Sequence, residues 1–231
     1  MFLKVPKENR FELKFVAYET YYYDVLHWIK IHKYAFKKEY NKRIVNNIYF
    51  DSHYYDSYKD NIFGSSSRTK VRYRCYGEFD KLSKGSLEIK YKRNIFGWKQ
   101  RYKINDFILS SKKYNWKEIY LLFYKSIPAE GRVWLEKNPV PTIINQYLRD
   151  YFISNNNKIR ITVDRNHFVY DQRYSYYPNI KKNILTQPIV IVEFKFNRND
   201  RKEAEELFEN MPIRGSRNSK YVNSIRAVTG I

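Results

Sequence analysis

Cations recur at every second residue in the stretch KVRYRC, residues 70–75. If this stretch is a strand, side chains alternate between the two sheet faces, so Lys70, Arg72 and Arg74 project the same way with no acid between them. Arg makes bidentate contacts to phosphate oxygens, and Lys supplies a mobile point charge. The spacing therefore indicates binding of a polyanion, although one such strand by itself is more often a solvated sheet face.

Four further stretches show the same alternation of apolar and charged residues: FELKF, SLEIKYK, KIRITVD and VIVEFKF. In FELKF, Phe11, Leu13 and Phe15 oppose Glu12 and Lys14. Five strands with one apolar and one charged face predict an antiparallel sheet. Because cations recur on these faces with few glutamates, we expect the charged faces to line the interior of a closed barrel, with helices on its apolar outside.

Helical patterns lie between these strands. Residues 20–38, 115–126 and 201–210 predict amphipathic helices, and SKYVNSIRAV near the end of the chain predicts a last short one. No repeat, low-complexity tract or linker divides the sequence. The expected fold is therefore α+β, a closed antiparallel β-barrel with helices packed on the outside, in a single domain over residues 1–231.

The charge balance limits the partners. The chain of 231 residues carries a formal net charge of +20, which indicates nucleic acid, an acidic membrane surface or a phosphate-rich molecule as partner. Two like charges 4 Å apart repel by roughly 4 kcal/mol at an effective dielectric of 20, against a total stability of about 5–15 kcal/mol. A barrel interior lined with cations therefore needs bound anions, and a chain of phosphates suits it best.

The cysteine count and the hydropathy of the sequence indicate the cellular compartment of the protein. The chain has one cysteine, Cys75, which excludes an internal disulfide and favours a reducing compartment. The beginning, MFLKVPKENRFELKF, lacks the apolar core of a signal peptide, and no apolar run approaches the ~20 residues that span a bilayer. These features predict a soluble cytoplasmic protein.

A series of motifs resembles the VTC family of polyphosphate polymerase domains, within the triphosphate tunnel metalloenzyme superfamily. The matching stretches follow the family order from about residue 10 to residue 228: FELKF, VNNIYFDSHYYDSYKD, SRTKVRYRCYG, SLEIKYKRNIFGWKQRYKI, NQYLRDYF, KIRITVDRN, IVIVEFKF and RNSKYV. The resemblance implies a closed tunnel of antiparallel strands that binds ATP and inorganic polyphosphate.

The resemblance also implies the site residues. Four basic residues are expected to be catalytic, neutralising charge on the transferred phosphoryl group: Arg72, Arg74, Lys90 and Arg160. The expected triphosphate- and polyphosphate-binding residues are Lys14, Lys70, Lys99, Arg101, Arg149, Lys195, Arg217, Ser219 and Lys220. Glu193 is the expected ligand of a divalent cation, Mn²⁺ or Mg²⁺, whereas Glu12 and Glu88 are interpreted as salt-bridge partners that orient neighbouring lysines.

Other residues receive structural interpretations. Asp51, in the YFD stretch, is expected to make a structural hydrogen bond. His27, His32 and His53 are not paired for metal binding or nucleophilic chemistry.

Other functions fit the same residues. If water replaces the polyphosphate end as nucleophile, the same site is a triphosphatase, and without turnover it is a polyphosphate-binding protein. A nucleic-acid-binding module would use the 24 tyrosines for stacking, but no nucleic-acid motif is present and no nucleic-acid partner is expected.

Two departures from the family pattern matter. Arg217 stands where the family often has lysine. The first strand lies so near the start that we expect no phosphate-sensing domain before it, and membrane functions would require a separate membrane partner protein.

Overall fold

The computed structural model describes residues 10–79, 85–94, 96–105, 107–109, 113–200, 206–208 and 211–230. Among these residues one antiparallel sheet contains the strands β1 Arg10–Tyr18, β2 Lys37–Asp51, β3 Ser67–Tyr76, β4 Gly85–Arg93, β5 Phe96–Ile104, β6 Val140–Ile153, β7 Arg160–Asp171, β8 Asn183–Leu185 and β9 Ile189–Asn197. The described helices are α1 Tyr22–Ile31, α2 Asp56–Ile62, α3 Trp116–Ser126, α4 Ala129–Lys137 and α5 Lys220–Thr229. Short 3₁₀ turns occupy Glu19–Tyr21 and Arg198–Asp200.

The sheet is open, which corrects the prediction of a closed barrel. Its strand order is β1-β9-β7-β6-β2-β3-β4-β5, with β8 paired to β7, so β1 and β5 are edges that no ladder joins in the described part of the chain. The outer edge of β1 instead meets the segment before α5. The Ser216 N–H donates to the Lys14 carbonyl (2.9 Å), and Gly215 bridges Phe15. The α+β class and the antiparallel sheet are confirmed.

The sheet is strongly curled, so that the polar faces of its two halves lie opposite each other. The charges of Glu12 on β1 and Glu193 on β9 both act on Lys90 of β4, and the edge strands β1 and β5 pass close together. We call this concave polar face the basic cleft. It carries Lys14, Lys70, Arg72, Arg74, Glu88, Lys90, Lys99, Arg101, Arg149, Asp164, Glu193, Lys195 and Lys220.

The opposite, apolar face of the sheet is covered by helices in two clusters. On the half built from β1, β9 and β7, Trp28 and Ile29 of α1 pack with Phe194. On the half built from β2 to β5, Ile119 and Phe123 of α3 pack with the strand residues of a second cluster. Apolar residues four apart, Val25 and Ile29 on α1 and Ile119 and Phe123 on α3, therefore hold the sheet from outside.

The helix predictions are confirmed in part. Helix α3 begins where the sequence indicates, because Asn115 and Glu118 form a reciprocal capping box. The helix predicted over 20–38 is too long, since the backbone turns to an extended conformation at His32 and to a positive φ of 45° at Ala35. Helices α2 and α4 were not predicted. Most of the helix predicted over 201–210 lies outside the described residues.

Helix α5 packs on the concave face and confirms the prediction of a C-terminal helix. Tyr221 and Ile225 cluster with Tyr49 and Ile143 of the neighbouring strands. The Ser219 hydroxyl caps the first turn by accepting from the Val222 N–H (3.3 Å). The N-terminus of α5 therefore begins at Ser219, which also accepts a hydrogen bond from Lys70 of the cleft. Within the described residues, every helix is too short or too polar to cross a membrane.

Candidate phosphate-binding site

Three lysines stand side by side across the strands of one half of the cleft. In the register of β3, β4 and β5, Lys70 is directly opposite Lys90, and Lys90 is directly opposite Lys99. The next register position repeats the pattern with Arg68 opposite Lys92. Like charges directly opposite on a sheet are destabilising, so this row of ammonium groups is a costly arrangement for the unliganded protein.

The electrostatics of this row follow from its crowding. The Glu12 carboxylate raises the pKa of Lys90, but burial and the positive charges of Arg72 and Lys14 outweigh it, and this pKa falls to about 8. Burial lowers the pKa of Lys99 to about 7. Burial also places the pKa of Lys70 well below its ordinary value, and the charge of Lys90 adds to the effect. A bound polyanion would relieve these shifts.

The neighbouring row contains a compensating carboxylate. Glu88 on β4 lies between Arg72 on β3 and Arg101 on β5 and is only 1% exposed. It accepts hydrogen bonds from Arg72 Nε (2.9 Å) and Nη2 (2.5 Å), from Lys99 Nζ (3.1 Å) and from Arg101 Nε (2.8 Å). Burial favours the protonated form, but Arg72 and Arg74 hold the pKa of Glu88 far below its ordinary value. The salt-bridge interpretation of Glu88 is confirmed.

Arg74 has neutral partners. Its Nε donates to Asn47 Oδ1 (2.8 Å), and its Nη2 donates to the Tyr147 hydroxyl (3.2 Å). The amide of Asn47 is itself held by Asn145 (2.8 Å). Arg74 is thus buried and oriented without a carboxylate of its own, which leaves its charge available to an anion.

On the other half of the cleft, Asp164 of β7 organises two predicted cations. Arg149 of β6 donates to it through Nε (2.5 Å) and Nη2 (2.7 Å), and Lys220 at the start of α5 donates at 2.6 Å. Asp164 is fully buried. Burial favours its protonated form, but the charges of Arg149 and Lys220 place the pKa of Asp164 below its ordinary value.

Glu193 is surrounded by cations at longer distances. Its carboxylate lies 3.4 Å from Lys195 Nζ, 3.9 Å from Arg149 Nη2 and 4.0 Å from Lys14 Nζ. Burial favours the protonated form of Glu193, but the charges of Lys195 and Lys14 keep its pKa well below the ordinary value. Thr162, directly opposite on β7, has a buried hydroxyl without a hydrogen-bond partner among the described residues.

This geometry fits a divalent cation held together with a phosphate ligand. Among the described residues no group of three or more His, Cys, Asp or Glu side chains could hold a metal ion without further ligands. Mg²⁺, however, is commonly held by one or two carboxylates together with substrate phosphates. The ionised Glu193, with its loose ion pairs and the unpartnered Thr162 hydroxyl beside it, matches that need. Glu12 stands diagonally from Glu193 across β1 and β9, as a second carboxylate on the same face.

The segment before α5 closes over this region. Ser219 accepts a hydrogen bond from Lys70 Nζ (2.8 Å), and Lys14 Nζ donates to the Asn218 carbonyl (3.2 Å). Both predicted lysines are thereby tied to one loop. The start of α5 adds Lys220 and the helix N-terminus, which favours anions.

Two predicted residues lie away from these clusters. Arg160, at the beginning of β7, is about half exposed and pairs with Glu39 at 3.1 Å. Arg217 is exposed, and its charge acts on Lys92 rather than on the central rows. Both lie at the rim of the cleft.

Four further residues of the cleft have no signal in the local sequence pattern: Asp164, Asn47, Tyr147 and Thr162. Asp164 is one of several charges in KIRITVD, and only the pairing register of β6 and β7 places it opposite Arg149. Asp51, by contrast, has the expected structural role. It accepts hydrogen bonds from the Ser57 and Tyr58 amides (2.9 and 3.1 Å) and from the Tyr221 hydroxyl (2.5 Å).

Similarity to known proteins identifies the family of this chain. No curated protein matches its sequence. Similar solved structures include the PH1819 protein from Pyrococcus horikoshii, at 14% identity and a TM-score of 0.49, covering 92% of this chain and 96% of that one. Another, from Vibrio parahaemolyticus, is described as a candidate adenylate cyclase, with 9% identity and a TM-score of 0.49 over 94% of this chain and 98% of that one. The family model described as VTC domain matches residues 9–229, and the chain therefore belongs to the VTC domain family.

Proposed function

We propose that the basic cleft transfers the γ-phosphoryl group of ATP to the end of an inorganic polyphosphate chain. The observation that carries this proposal is the row Lys70, Lys90 and Lys99, three lysines in register whose mutual repulsion a bound anion with several charges would offset. Membership of the VTC family and the resemblance to polyphosphate polymerase domains support the choice of reaction.

The residues act by positioning and by charge. Phosphoryl transfer needs little covalent chemistry from a protein, because alignment and electrostatic stabilisation supply most of the rate. Arg72, Arg74 and Lys90 neutralise charge that develops on the equatorial oxygens of the transferred group. Glu88 and Asp164 hold the surrounding cations in fixed directions, so the cleft is organised before the substrate binds.

In the transfer step, an oxygen on the terminal phosphate of the acceptor chain attacks the γ-phosphorus of ATP. The new P–O bond forms as the bond to the bridging β–γ oxygen breaks, and ADP leaves with that electron pair. The attacking oxygen is already ionised near neutral pH, so no general base is needed. Glu193, with the Thr162 hydroxyl, would hold Mn²⁺ or Mg²⁺, which when bound neutralises charge on the phosphates.

Product analysis tests the proposal. The protein is incubated with ATP, a short polyphosphate and Mn²⁺ or Mg²⁺, and polymer, ADP and free phosphate are quantified. We expect one ADP for each phosphate unit that is added to the polymer. Free phosphate without polymer growth would assign the cleft to triphosphate hydrolysis. Tight triphosphate binding without any turnover would make the protein a polyphosphate-binding protein.

A further inference from the structure

The two ends of the cleft differ in chemistry. Tyr76 and Arg68 lie on the same polar face at opposite ends of β3, eight residues or roughly 26 Å apart. At the Arg68 end the facing residue is Lys92, and the charges of Lys14 and Arg217 also act there. We call this the basic end. The other end contains Tyr40, Arg43, Tyr76 and Tyr151, and we call it the aromatic end.

At the aromatic end one guanidinium lies among three rings. The Arg43 guanidinium carbon is 4.7 Å from the centroid of the Tyr40 ring, 5.6 Å from that of Tyr151 and 5.7 Å from that of Tyr76. Tyr40 and Tyr76 remain 46% and 44% exposed, so ring surface is available for stacking. Arg43 forms no salt bridge with any described residue, and its charge is free to meet an anion.

The backbone of β2 places Tyr40 and Arg43 beside the phosphate-binding residues. Register irregularities in β2 fall between Lys38 and Tyr40 and between Tyr40 and Arg43, where bulges redirect side chains. Arg43 is directly opposite Arg149, and the Arg149 guanidinium lies 5.9 Å from the Tyr151 ring. Arg149 therefore lies between Glu193, which is 3.9 Å from its Nη2, and the rings of the aromatic end.

We propose that the aromatic end binds the purine base of the nucleoside triphosphate, by stacking on Tyr40 and Tyr76, while Arg43 contacts the phosphate nearest the ribose. The polyphosphate chain then occupies the basic end, since a phosphate chain has no ring to stack. This inference rests on the proposed function, because it assumes that a triphosphate lies in the cleft. The nucleotide therefore enters the cleft at the aromatic end, and the polymer lies at the basic end.

The experiment compares two ligands that share the triphosphate and differ in the nucleoside. Dissociation constants of ATP and of inorganic tripolyphosphate are measured by calorimetry for the wild type and for the double variant Tyr40→Leu/Tyr76→Leu. Leu keeps apolar bulk but removes the ring. Because stacking of a base contributes about 1–3 kcal/mol, ATP affinity should fall roughly 5- to 150-fold, with tripolyphosphate affinity unchanged within about twofold.

Two further variants sharpen the comparison. Tyr40→Phe/Tyr76→Phe keeps both rings and should retain wild-type ATP affinity. Tyr174→Leu is the matched control, because Tyr174 is 90% exposed and also carries an arginine, Arg173, 5.3 Å from its ring. This control should change neither dissociation constant.

The outcomes separate this inference from the proposed function. ATP affinity unchanged in the Leu variant, or an equal loss for both ligands, would overturn the base-binding role while leaving the phosphate-binding cleft intact. Selective loss of ATP affinity in a protein that shows no phosphoryl transfer would support base binding and overturn the polymerase reaction. Absence of binding for both ligands to the wild type would overturn both.

Discussion

The Arg149 guanidinium donates two parallel hydrogen bonds to the buried Asp164 carboxylate, from Nε to Oδ1 at 2.5 Å and from Nη2 to Oδ2 at 2.7 Å. Lys220 donates to the same carboxylate from the beginning of α5. One acid therefore fixes the direction of two cations from separate elements. The cleft keeps its charges in place by pairing them with a few buried carboxylates. In the lysine row only Lys99 pairs with one of them, Glu88, and none of the described carboxylates lies in the register of that row.

Replacing Asp164 by asparagine should destabilise the protein strongly. Asp164→Asn leaves Arg149 and Lys220 without their shared carboxylate, and breaking a buried pair typically costs about 3–5 kcal/mol. The free energy of unfolding is measured by urea denaturation. Glu206→Gln is the control, because Glu206 forms an exposed pair with Lys33 at 3.4 Å and should cost less than about 1 kcal/mol. Equal, small effects from the two variants would contradict the organising role of Asp164.

Arg72 and Arg74 should respond differently to the same substitution. Arg72→Met removes two hydrogen bonds to the Glu88 carboxylate, so we expect a loss of about 1–3 kcal/mol in stability. Arg74→Met leaves Glu88 with all its direct hydrogen-bond partners but leaves Asn47 and Tyr147 without a donor, so it should cost less than Arg72→Met, about 1 kcal/mol. Both should weaken tripolyphosphate binding about tenfold or more. Binding that is unaffected in Arg74→Met would remove Arg74 from the site.

The protein should take up protons when it binds tripolyphosphate at alkaline pH. Lys90 has a pKa of about 8 in the folded protein, below its ordinary 10.5, so the unfolded chain binds more protons between these values and Lys90 makes stability rise with pH there. A bound polyanion favours the charged form and raises this pKa. At pH 8 the wild type should therefore take up as much as about half a proton at Lys90 on binding tripolyphosphate.

Calorimetry in two buffers of different ionisation enthalpy measures this uptake. Lys90→Met should reduce it, and since ligand and buffers are the same for both proteins, protonation of the ligand cancels in the difference. An uptake identical in wild type and Lys90→Met would show that Lys90 does not meet the phosphates.

Glu193 should matter for metal binding more than Glu12 does. With tripolyphosphate present, Mn²⁺ binding can be followed by the loss of the free-ion electron paramagnetic resonance signal. Glu193→Gln keeps the shape of the side chain but removes its charge, and it should weaken Mn²⁺ binding at least tenfold, the range seen when metal-site groups are lost. Glu12→Gln, on the same face, should have a smaller effect. The reverse order would move the metal site toward β1.

Much of this site could be predicted from local patterns, but its organisation could not. Alternation in KVRYRC and SLEIKYK correctly puts Arg72 and Lys90 on one polar face, since strand periodicity depends only on the sequence nearby. Whether Lys70 faces Lys90 or Glu88 depends on the register between strands, which alternation leaves open. For that reason Asp164 and Thr162 escaped notice, although both lie at the centre of the cleft.

Local sequence patterns also could not predict whether the sheet closes into a barrel. The same alternation suits a closed barrel and a curled open sheet, and the difference lies at the edge of β1. There the amide of Ser216, far away in the sequence, donates to Lys14. The aromatic end was missed for a related reason, because bulges in β2 bring Tyr40 and Arg43 together against the simple alternation.

Transfer of radioactive label from ATP to polyphosphate measures the proposed phosphoryl transfer itself. ATP labelled with ³²P at the γ-phosphate is incubated with the protein, unlabelled short polyphosphate and Mn²⁺, and the products are separated by gel electrophoresis. Label should enter chains longer than the primer while ADP accumulates in equal amount, and Arg74→Met should slow this transfer. Label found entirely in free phosphate, with the primer unchanged in length, would contradict it.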